Sequence, residues 1–262
     1  MSLDTFIAAM PKAELHVHLE GATQPATLLE LARRNGVTLP AEDEAGLSAL
    51  YRFASFEHFV QVYFLIQSVL RTPDDWTLMV RDLGAQMDRQ SIRYAEVTWT
   101  PDLAEGQGVS YERALAAVEA GRQEVRQRWG VEMRWLPDAM RDLGPERAEA
   151  VAEQVGARPG QGVVGLGLGG SEHRFPPHLF EAAFARARAA GLRSYPHAGE
   201  LLGPESVWDA LRLLRADRIA HGVRAIEDPV LVTELRARQI ALDVCPTSNV
   251  CLHVYPDYAS HP

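Results

Sequence analysis

The chain has 262 residues, of which 47% are hydrophobic, 8% aromatic and 23% charged, as in ordinary globular proteins. Its formal net charge is -9 and it has no basic cluster, so a nucleic-acid partner is not expected. It shows no apolar run that could span a membrane and no signal-peptide pattern. Because the two cysteines, Cys245 and Cys251, cannot form a disulfide framework, we expect a cytoplasmic protein. Since no basic cluster is present, the expected partner is a small molecule.

Short β-rich runs alternate with longer amphipathic stretches along the chain. The runs predict seven strands, at residues 14–18, 92–99, 131–137, 162–168, 192–197, 218–221 and 240–244. Helical patterns predict helices between the later strands, at residues 110–129, 145–156, 177–191, 204–215 and 229–239. Strands that alternate with helices of this length pair in parallel through right-handed crossovers. The predicted fold class is therefore α/β.

The spacing of the strands predicts a TIM (β/α)8-type barrel that is C-terminally incomplete, with seven strands. Such barrels run to roughly 250 residues as one domain. A helical insertion at about residues 22–91, with helical segments at 56–70 and 73–90, uses much of the length, and residues 245–262 read as loop and irregular chain. We therefore expect a single barrel domain over residues 1–262 whose last strand-helix unit is missing.

Four histidines lie in or at the ends of three predicted strands. His16 and His18 share the first strand, and their i, i+2 spacing turns both side chains to one face. His197 ends the fifth strand and His221 the sixth. Active sites of parallel barrels are built at the carboxyl ends of the strands, and three histidines with an open position suit catalytic zinc. Each histidine alone could be structural, but the four together favour a metal site.

Glu200 follows His197 by three residues and is placed to serve the same pocket. In a dry site its pKa would rise, which would make it a proton donor. The alternative is a carboxylate that merely favours a helix N-terminus. Lys12, the only lysine, precedes the first strand, so no carboxylated lysine can bridge two metals. We therefore expect one metal ion.

Three other patterns favour less specific interpretations. The glycine-rich segment at residues 165–172 does not match a dinucleotide fingerprint and better suits close approach of the backbone to a planar ligand. The stripe of Phe56, Phe59 and Tyr63 has helical spacing and predicts core packing. His261, like the other histidines that show no paired spacing in the sequence, is interpreted as a surface or packing residue.

Four segments resemble the adenosine deaminase family of metal-dependent hydrolases. They are KAELHVHLEG at residues 12–21, PHAGE at 196–200, RIAHG at 218–222 and CPTSN at 245–249. The resemblance implies hydrolytic deamination of a 6-aminopurine at C6, with release of ammonia. It also implies that His16, His18 and His197 bind one Zn²⁺ or another divalent transition metal. The implied partner is a purine base or nucleoside, and an oligomeric state is compatible with the sequence.

The resemblance also implies roles for four further residues. His221 would orient the attacking water and help to deprotonate it, and Glu200 would protonate N1 of the purine. The backbone of Gly170 would donate to ring N3, and Glu20 would reach the sugar or whatever replaces it.

The departures from the family pattern bear on the substrate. The family usually has Asp where this chain has Glu20, and Glu is more similar to the branches that use adenine or aminodeoxyfutalosine. The implied substrate is therefore adenosine or a 5′-modified analogue such as aminodeoxyfutalosine. The family's C-terminal pair of aspartates has no counterpart in these 262 residues. A catalytically impaired, purine-binding form is one alternative, and a mononuclear amide or ester hydrolase is another.

Overall fold

The computed structural model describes residues 2–158 and 160–262, and these contain seven strands. The strands are β1 (Lys12–His18), β2 (Ile92–Trp99), β3 (Glu132–Met140), β4 (Gly165–Gly169), β5 (Arg193–Ala198), β6 (Arg218–His221) and β7 (Ala241–Asp243). They are hydrogen-bonded in chain order, and β1 with β2 and each pair from β3 to β7 are parallel. This order of parallel strands is that of an α/β fold of the TIM-barrel type, so the predicted fold class is confirmed.

Helices alternate with the strands in the described residues. They are α1 (Leu3–Ala9), α2 (Pro25–Asn35), α3 (Glu44–Leu50), α4 (Phe56–Ser68), α5 (Pro73–Arg89), α6 (Pro101–Gly106), α7 (Tyr111–Trp129), α8 (Pro145–Gly156), α9 (Glu181–Ala189), α10 (Pro204–Arg212), α11 (Pro229–Arg238) and α12 (Pro246–Cys251). Short 3-10 helices cover Arg141–Leu143, Pro177–Phe180 and Val223–Glu227. Over the residues that the structure describes, none of these helices combines the length and apolarity that crossing a membrane requires.

Two predicted segments differ from the structure in the type of element, and the bounds of several strands shift by a few residues. The helix predicted at residues 177–191 begins as the 3-10 helix Pro177–Phe180, and only Glu181–Ala189 is α-helical. The chain after β7, predicted as loop, contains α12. Pro246 is the first residue of α12, and the fixed φ of proline is suited to the first helical position.

Helix ends follow the expected local chemistry. The Ser110 side chain accepts a hydrogen bond from the N–H of Arg113 and caps α7, which ends at Gly130 in the left-handed conformation. Thr72 and Asp75 form a capping box at the start of α5. These contacts satisfy N–H groups that the first turn of a helix leaves without a partner.

The described chain divides into two compact units. The first consists of the chain up to Arg52 together with Glu57–Trp135. In this unit α5 packs against α7 at two glycines: a Cβ on Gly121 would lie 2.8 Å from the Val80 Cβ, and a Cβ on Gly84 would lie closer still to the Val125 side chain. The missing side chains therefore allow these two helices to approach closely.

The second unit consists of Phe53–Phe56 together with Leu136–Pro262. Its core is a cluster of buried apolar residues from β5, β6, α10, α11 and their connections: Ala198, Val207, Ala210, Leu211, Ala216, Ile219, Ala225, Leu231 and Leu235. The register of β5 and β6 pairs His197 with Ala220 and Ala198 with His221. Two predicted site histidines thus lie at neighbouring strand ends of this unit. That the whole chain is one barrel domain stays a prediction.

Candidate active site

His16 and His18 lie side by side on β1 in the first unit. Both are half-buried, and their ring centroids are 5.3 Å apart with an interplanar angle of 74°. Two imidazoles that bind one zinc ion at about 2.1 Å in tetrahedral geometry have ring centroids about 5 Å apart. The donor chemistry and the spacing of this pair therefore fit two ligands of one metal ion.

Glu20 follows the histidine pair and is completely buried. Its Oε1 accepts hydrogen bonds from Gln67 Nε2 at 2.6 Å and from the N–H of Thr100 at 3.0 Å. Its Oε2 accepts one from the Tyr63 hydroxyl at 2.9 Å. Burial raises the pKa of Glu20, and these hydrogen bonds oppose the rise. The role of Glu20 toward a sugar stays a prediction.

Tyr63 connects this carboxylate to the histidine pair. Its ring centroid lies 6.3 Å from that of His18 in an edge-to-face arrangement, and its hydroxyl is 2.8 Å from Thr100 Oγ1. The helical stripe predicts Tyr63 as core, and it is buried, but its hydroxyl belongs to a polar cluster. The signal in the sequence is the choice of Tyr at a core position, because a buried tyrosine hydroxyl needs a partner.

The second unit places Glu200 against His221. Glu200 follows β5 and is 7% exposed, while His221 ends β6 and is 4% exposed. His221 Nε2 lies 3.5 Å from Glu200 Oε1, and the ring centroids of His221 and His197 are 5.4 Å apart. The backbone of His221 has a φ of +62°, a conformation that non-glycine residues adopt rarely and often at functional sites.

Burial sets the charge states of this pair. It raises the pKa of Glu200 to about 8; the negative charge of Glu172 adds to the rise and the positive charge of Arg141 opposes it. Burial also lowers the pKa of His221 to about 4. At neutral pH Glu200 therefore holds a proton and His221 is uncharged. A proton donor and a proton acceptor lie side by side.

Asn249 orients His221 from the other side. Its amide Nδ2 lies 3.5 Å from His221 Nδ1, and its Oδ1 lies 3.0 Å from His261 Nε2. Both ring nitrogens of His221 thus face protein groups, which suits an orienting role better than metal ligation. His261, interpreted from sequence as a surface or packing residue, belongs to this series of side-chain contacts from His221 through Asn249.

Gly170 follows β4 and cannot be replaced without strain. Its φ is +98°, and a Cβ at this position would clash with a carboxylate oxygen of Asp142 and lie 2.8 Å from Met140 Sδ. The close contacts are with protein atoms, and the approach of the Gly170 backbone to a ligand stays a prediction.

Sequence reasoning assigned no role to two charged residues beside Glu200. Arg141 is completely buried and Glu172 is 2% exposed. Glu172 belongs to the glycine-rich segment after β4, and Arg141 lies in the 3-10 helix after β3. No spacing rule links these two residues to Glu200, because only the fold brings their segments together.

Comparison with known proteins gives a consistent family. The family model described as adenosine deaminase matches residues 11–262. Aminodeoxyfutalosine deaminase from Streptomyces avermitilis is 41% identical over 263 residues, which cover 99% of this chain and 73% of that protein. The chain therefore belongs to the adenosine deaminase family, whose members are hydrolytic deaminases that act on C–N bonds.

Two solved structures show the same fold. The crystal structure of adenine deaminase from Arthrobacter aurescens has a TM-score of 0.91 and 36% identity, and the match covers 96% of this chain and 77% of that one. An amidohydrolase from Burkholderia ambifaria with bound zinc has a TM-score of 0.88 and 30% identity, covering 98% of this chain and 72% of that one. The predicted family and enzyme class are therefore confirmed, and the family is metal-dependent.

Proposed function

We propose that this chain catalyses the zinc-dependent hydrolytic deamination of a 6-aminopurine nucleoside, with a 5′-modified nucleoside such as aminodeoxyfutalosine as the leading substrate. The observation that carries the proposal is the contact between two buried groups, with His221 Nε2 3.5 Å from Glu200 Oε1, where burial raises the pKa of Glu200 and lowers that of His221. The relative named aminodeoxyfutalosine deaminase supports the choice of nucleoside. Adenine is the second candidate, because a solved structure with 36% identity is named adenine deaminase.

We propose His16, His18 and His197 as the ligands of one zinc ion. Each is half-buried at the carboxyl end of its strand, and three imidazoles are a donor set that suits catalytic zinc. A zinc ion in such a site lowers the pKa of water to about 7 and so supplies a nucleophile at neutral pH. The zinc-bound amidohydrolase among the similar structures supports this choice of metal.

Glu200 is proposed to protonate the purine at N1. A carboxylic acid can donate a proton only if it is still protonated at the working pH, and a pKa of about 8 meets that condition. Protonation of N1 withdraws electrons from C6, the carbon that carries the amino group, and prepares C6 for attack. General acid catalysis of this kind contributes typically 100- to 10,000-fold.

His221 is proposed to orient the attacking water and take up its proton. Its pKa of about 4 keeps the imidazole uncharged and able to exchange a proton at neutral pH. Asn249 and the end of β6 fix the ring, so its orientation costs no free energy at the moment of reaction. The proton then has a route to the departing amino group, which leaves as ammonia.

Gly170 and Glu20 are proposed to hold the substrate. The N–H of Gly170 would donate to ring N3; a Cβ at this position would meet Asp142 and Met140, so glycine preserves the backbone conformation after β4. Glu20 Oε2 accepts a hydrogen bond from Tyr63, and a carboxylate oxygen can accept two. One acceptor position of this oxygen is therefore proposed for a sugar hydroxyl or its replacement.

The proposal is tested by incubating the zinc-loaded protein with aminodeoxyfutalosine, adenosine and adenine. Liquid chromatography would measure the 6-oxopurine, and a coupled assay the ammonia. We expect conversion of at least one compound, fastest for aminodeoxyfutalosine, and no comparable conversion by the Glu200→Gln variant as matched control. Conversion of none would contradict the proposal; calorimetric binding of a purine without turnover would favour the impaired, purine-binding alternative instead.

A further inference from the structure

Glu172 is a buried carboxylate that the proposed reaction does not use. Four donors surround it, and each of its oxygens accepts two hydrogen bonds. Oε1 accepts from the N–H of Gly199 at 2.7 Å and from the Ser206 hydroxyl. Oε2 accepts from the N–H groups of Leu201 and Leu202, at 2.9 and 3.0 Å. Protein groups thus fill the hydrogen-bonding capacity of the carboxylate. Glu172 therefore has a role in holding the surrounding backbone.

Three of those donors are backbone groups on either side of Glu200. Gly199 precedes Glu200, and Leu201 and Leu202 follow it, so the carboxylate spans the turn that carries the proposed acid. Gly199 has a φ of +69°, and a Cβ there would clash with Val207. The turn is therefore shaped by glycine and tied down by Glu172.

Arg141 holds the chain two residues before Gly199. Its Nη2 donates to the carbonyl of His197 at 2.5 Å, and its Nη1 donates to the carbonyl of Phe175 at 2.6 Å. Since Arg141 is completely buried, its positive charge must be balanced nearby. Glu172 supplies that balance, and the two side chains together fix the backbone from His197 to Leu202.

We propose that Glu172 is a positioning residue for the deamination, which fixes the turn that carries Glu200 by accepting hydrogen bonds from three of its backbone N–H groups. This inference rests on the proposed function, because it concerns the placement of the proposed proton donor. Glu172 is not placed in contact with the substrate; it acts through Glu200.

The charge of Glu172 has a second effect at the same place. The groups that face Glu200 are Glu172, Arg141 and His221. Burial would raise the pKa of Glu172, but Arg141 and the hydrogen bonds outweigh burial and hold it below its ordinary value. One guanidinium thus balances one carboxylate, and the second carboxylate, Glu200, keeps its proton.

The Glu172→Gln variant tests the inference, with Glu149→Gln as the matched control. In Gln an NH₂ group replaces one of the two carboxylate oxygens, and two of the four donors then face another donor. The turn therefore loses two hydrogen bonds, and the negative charge is removed. Glu149 is paired with Arg186 at the surface, where an exposed ion pair contributes little. We expect kcat to fall about 100-fold in Glu172→Gln, as for a small misplacement of a catalytic group, with KM within about threefold.

Two readouts separate positioning from a general loss of structure. In Glu172→Gln the alkaline limb of the pH profile moves to lower pH, whereas Glu149→Gln leaves kcat, KM and the profile unchanged. A folded Glu172→Gln protein whose kcat and pH profile match those of the wild type overturns the inference. A raised KM with unchanged kcat overturns it as well, since that result indicates a role in binding.

Amide hydrogen exchange in the unaltered, zinc-loaded protein keeps the inference testable if Glu172→Gln does not fold. We expect the N–H groups of Leu201 and Leu202 to exchange at least about 100-fold more slowly than in an unstructured chain. Exchange at the unprotected rate would overturn the inference. A protected turn in a protein that converts no 6-aminopurine would instead contradict the proposed function, so the two failures are distinguishable.

Discussion

Replacing Glu200 with Gln removes a titratable carboxyl. Near neutral pH this carboxyl keeps its proton in the folded chain and releases it in the unfolded chain. The ordinary pKa of this carboxyl is 4.5, and burial raises it to about 8 in the folded chain. Between those two values the unfolded chain loses its proton while the folded chain keeps it. The contribution of Glu200 to stability is therefore fully present below pH 4.5 and is lost as the pH rises to about 8. Gln, which does not titrate, has no such dependence.

The size of the effect follows from the shift. At 1.36 kcal/mol per pH unit, the difference between 4.5 and about 8 corresponds to a loss of about 5 kcal/mol for the wild type relative to Glu200→Gln. This figure is an upper limit, because relaxation and water penetration lower the cost of charging a buried group. Between pH 4 and pH 9 we therefore expect the variant to gain up to about 5 kcal/mol over the wild type.

The assay is urea unfolding of both proteins at several pH values after chelation of metal, so that a bound cation does not alter the pKa of Glu200. All other titrating groups are shared, so the difference between the two curves isolates this carboxyl. Parallel curves from pH 4 to pH 9 would refute a raised pKa for Glu200. With zinc restored, we expect Glu200→Gln to retain zinc but lose most turnover, and the wild-type kcat/KM to fall at alkaline pH as Glu200 loses its proton.

Three further substitutions test the remaining parts of the site. His16→Asn removes a proposed ligand, so we expect bound zinc to fall from about one ion per chain to well below half an ion per chain. Mass spectrometry after desalting measures the bound zinc, and full retention would remove His16 from the ligand set. Tyr63→Phe takes a donor from the buried Glu20 and should lower the free energy of unfolding by about 1–3 kcal/mol in urea, and an unchanged midpoint would contradict that. Gly170→Ala should destabilise the protein and raise KM. Gly191→Ala controls for backbone strain alone, because Gly191 has a φ of +84° and open space for a Cβ. Equal effects of the two substitutions would mean that the clash at Gly170 is unimportant.

Much of the fold was predictable because its elements carry strong local signals. The strands predicted at residues 92–99 and 218–221 match β2 and β6, and the helix predicted at 145–156 matches α8. These segments combine apolar periodicity with proline or glycine at their ends. Alternation of strands and helices then leads to the parallel order, because crossovers of one hand are strongly favoured.

The misses arise where local signals compete. The 3-10 turn at Pro177–Phe180 and helix α12 are short, and short helices depend on their tertiary surroundings more than on propensity. Periodicity alone does not distinguish them from loop. Strand boundaries such as that of β3, which extends to Met140, shift by a few residues for the same reason.

Within the site, the predicted residues are those whose chemistry is visible in a motif. His16 and His18 are neighbours on one strand, and Glu200 follows His197 closely. Arg141 and Glu172 were not predictable in the same way, because their roles depend on contacts with a turn about 30 to 60 residues later in the chain. A buried charge has no sequence signature until the fold shows what surrounds it.

Isotope incorporation tests the central claim most directly. The zinc-loaded protein would convert its best 6-aminopurine substrate in water enriched in ¹⁸O, and mass spectrometry would follow the purine while a coupled assay counts ammonia. Hydrolysis at C6 predicts one ¹⁸O atom in each 6-oxopurine and one ammonia for each product molecule. Product without ¹⁸O, or ammonia without a 6-oxopurine, would contradict the account.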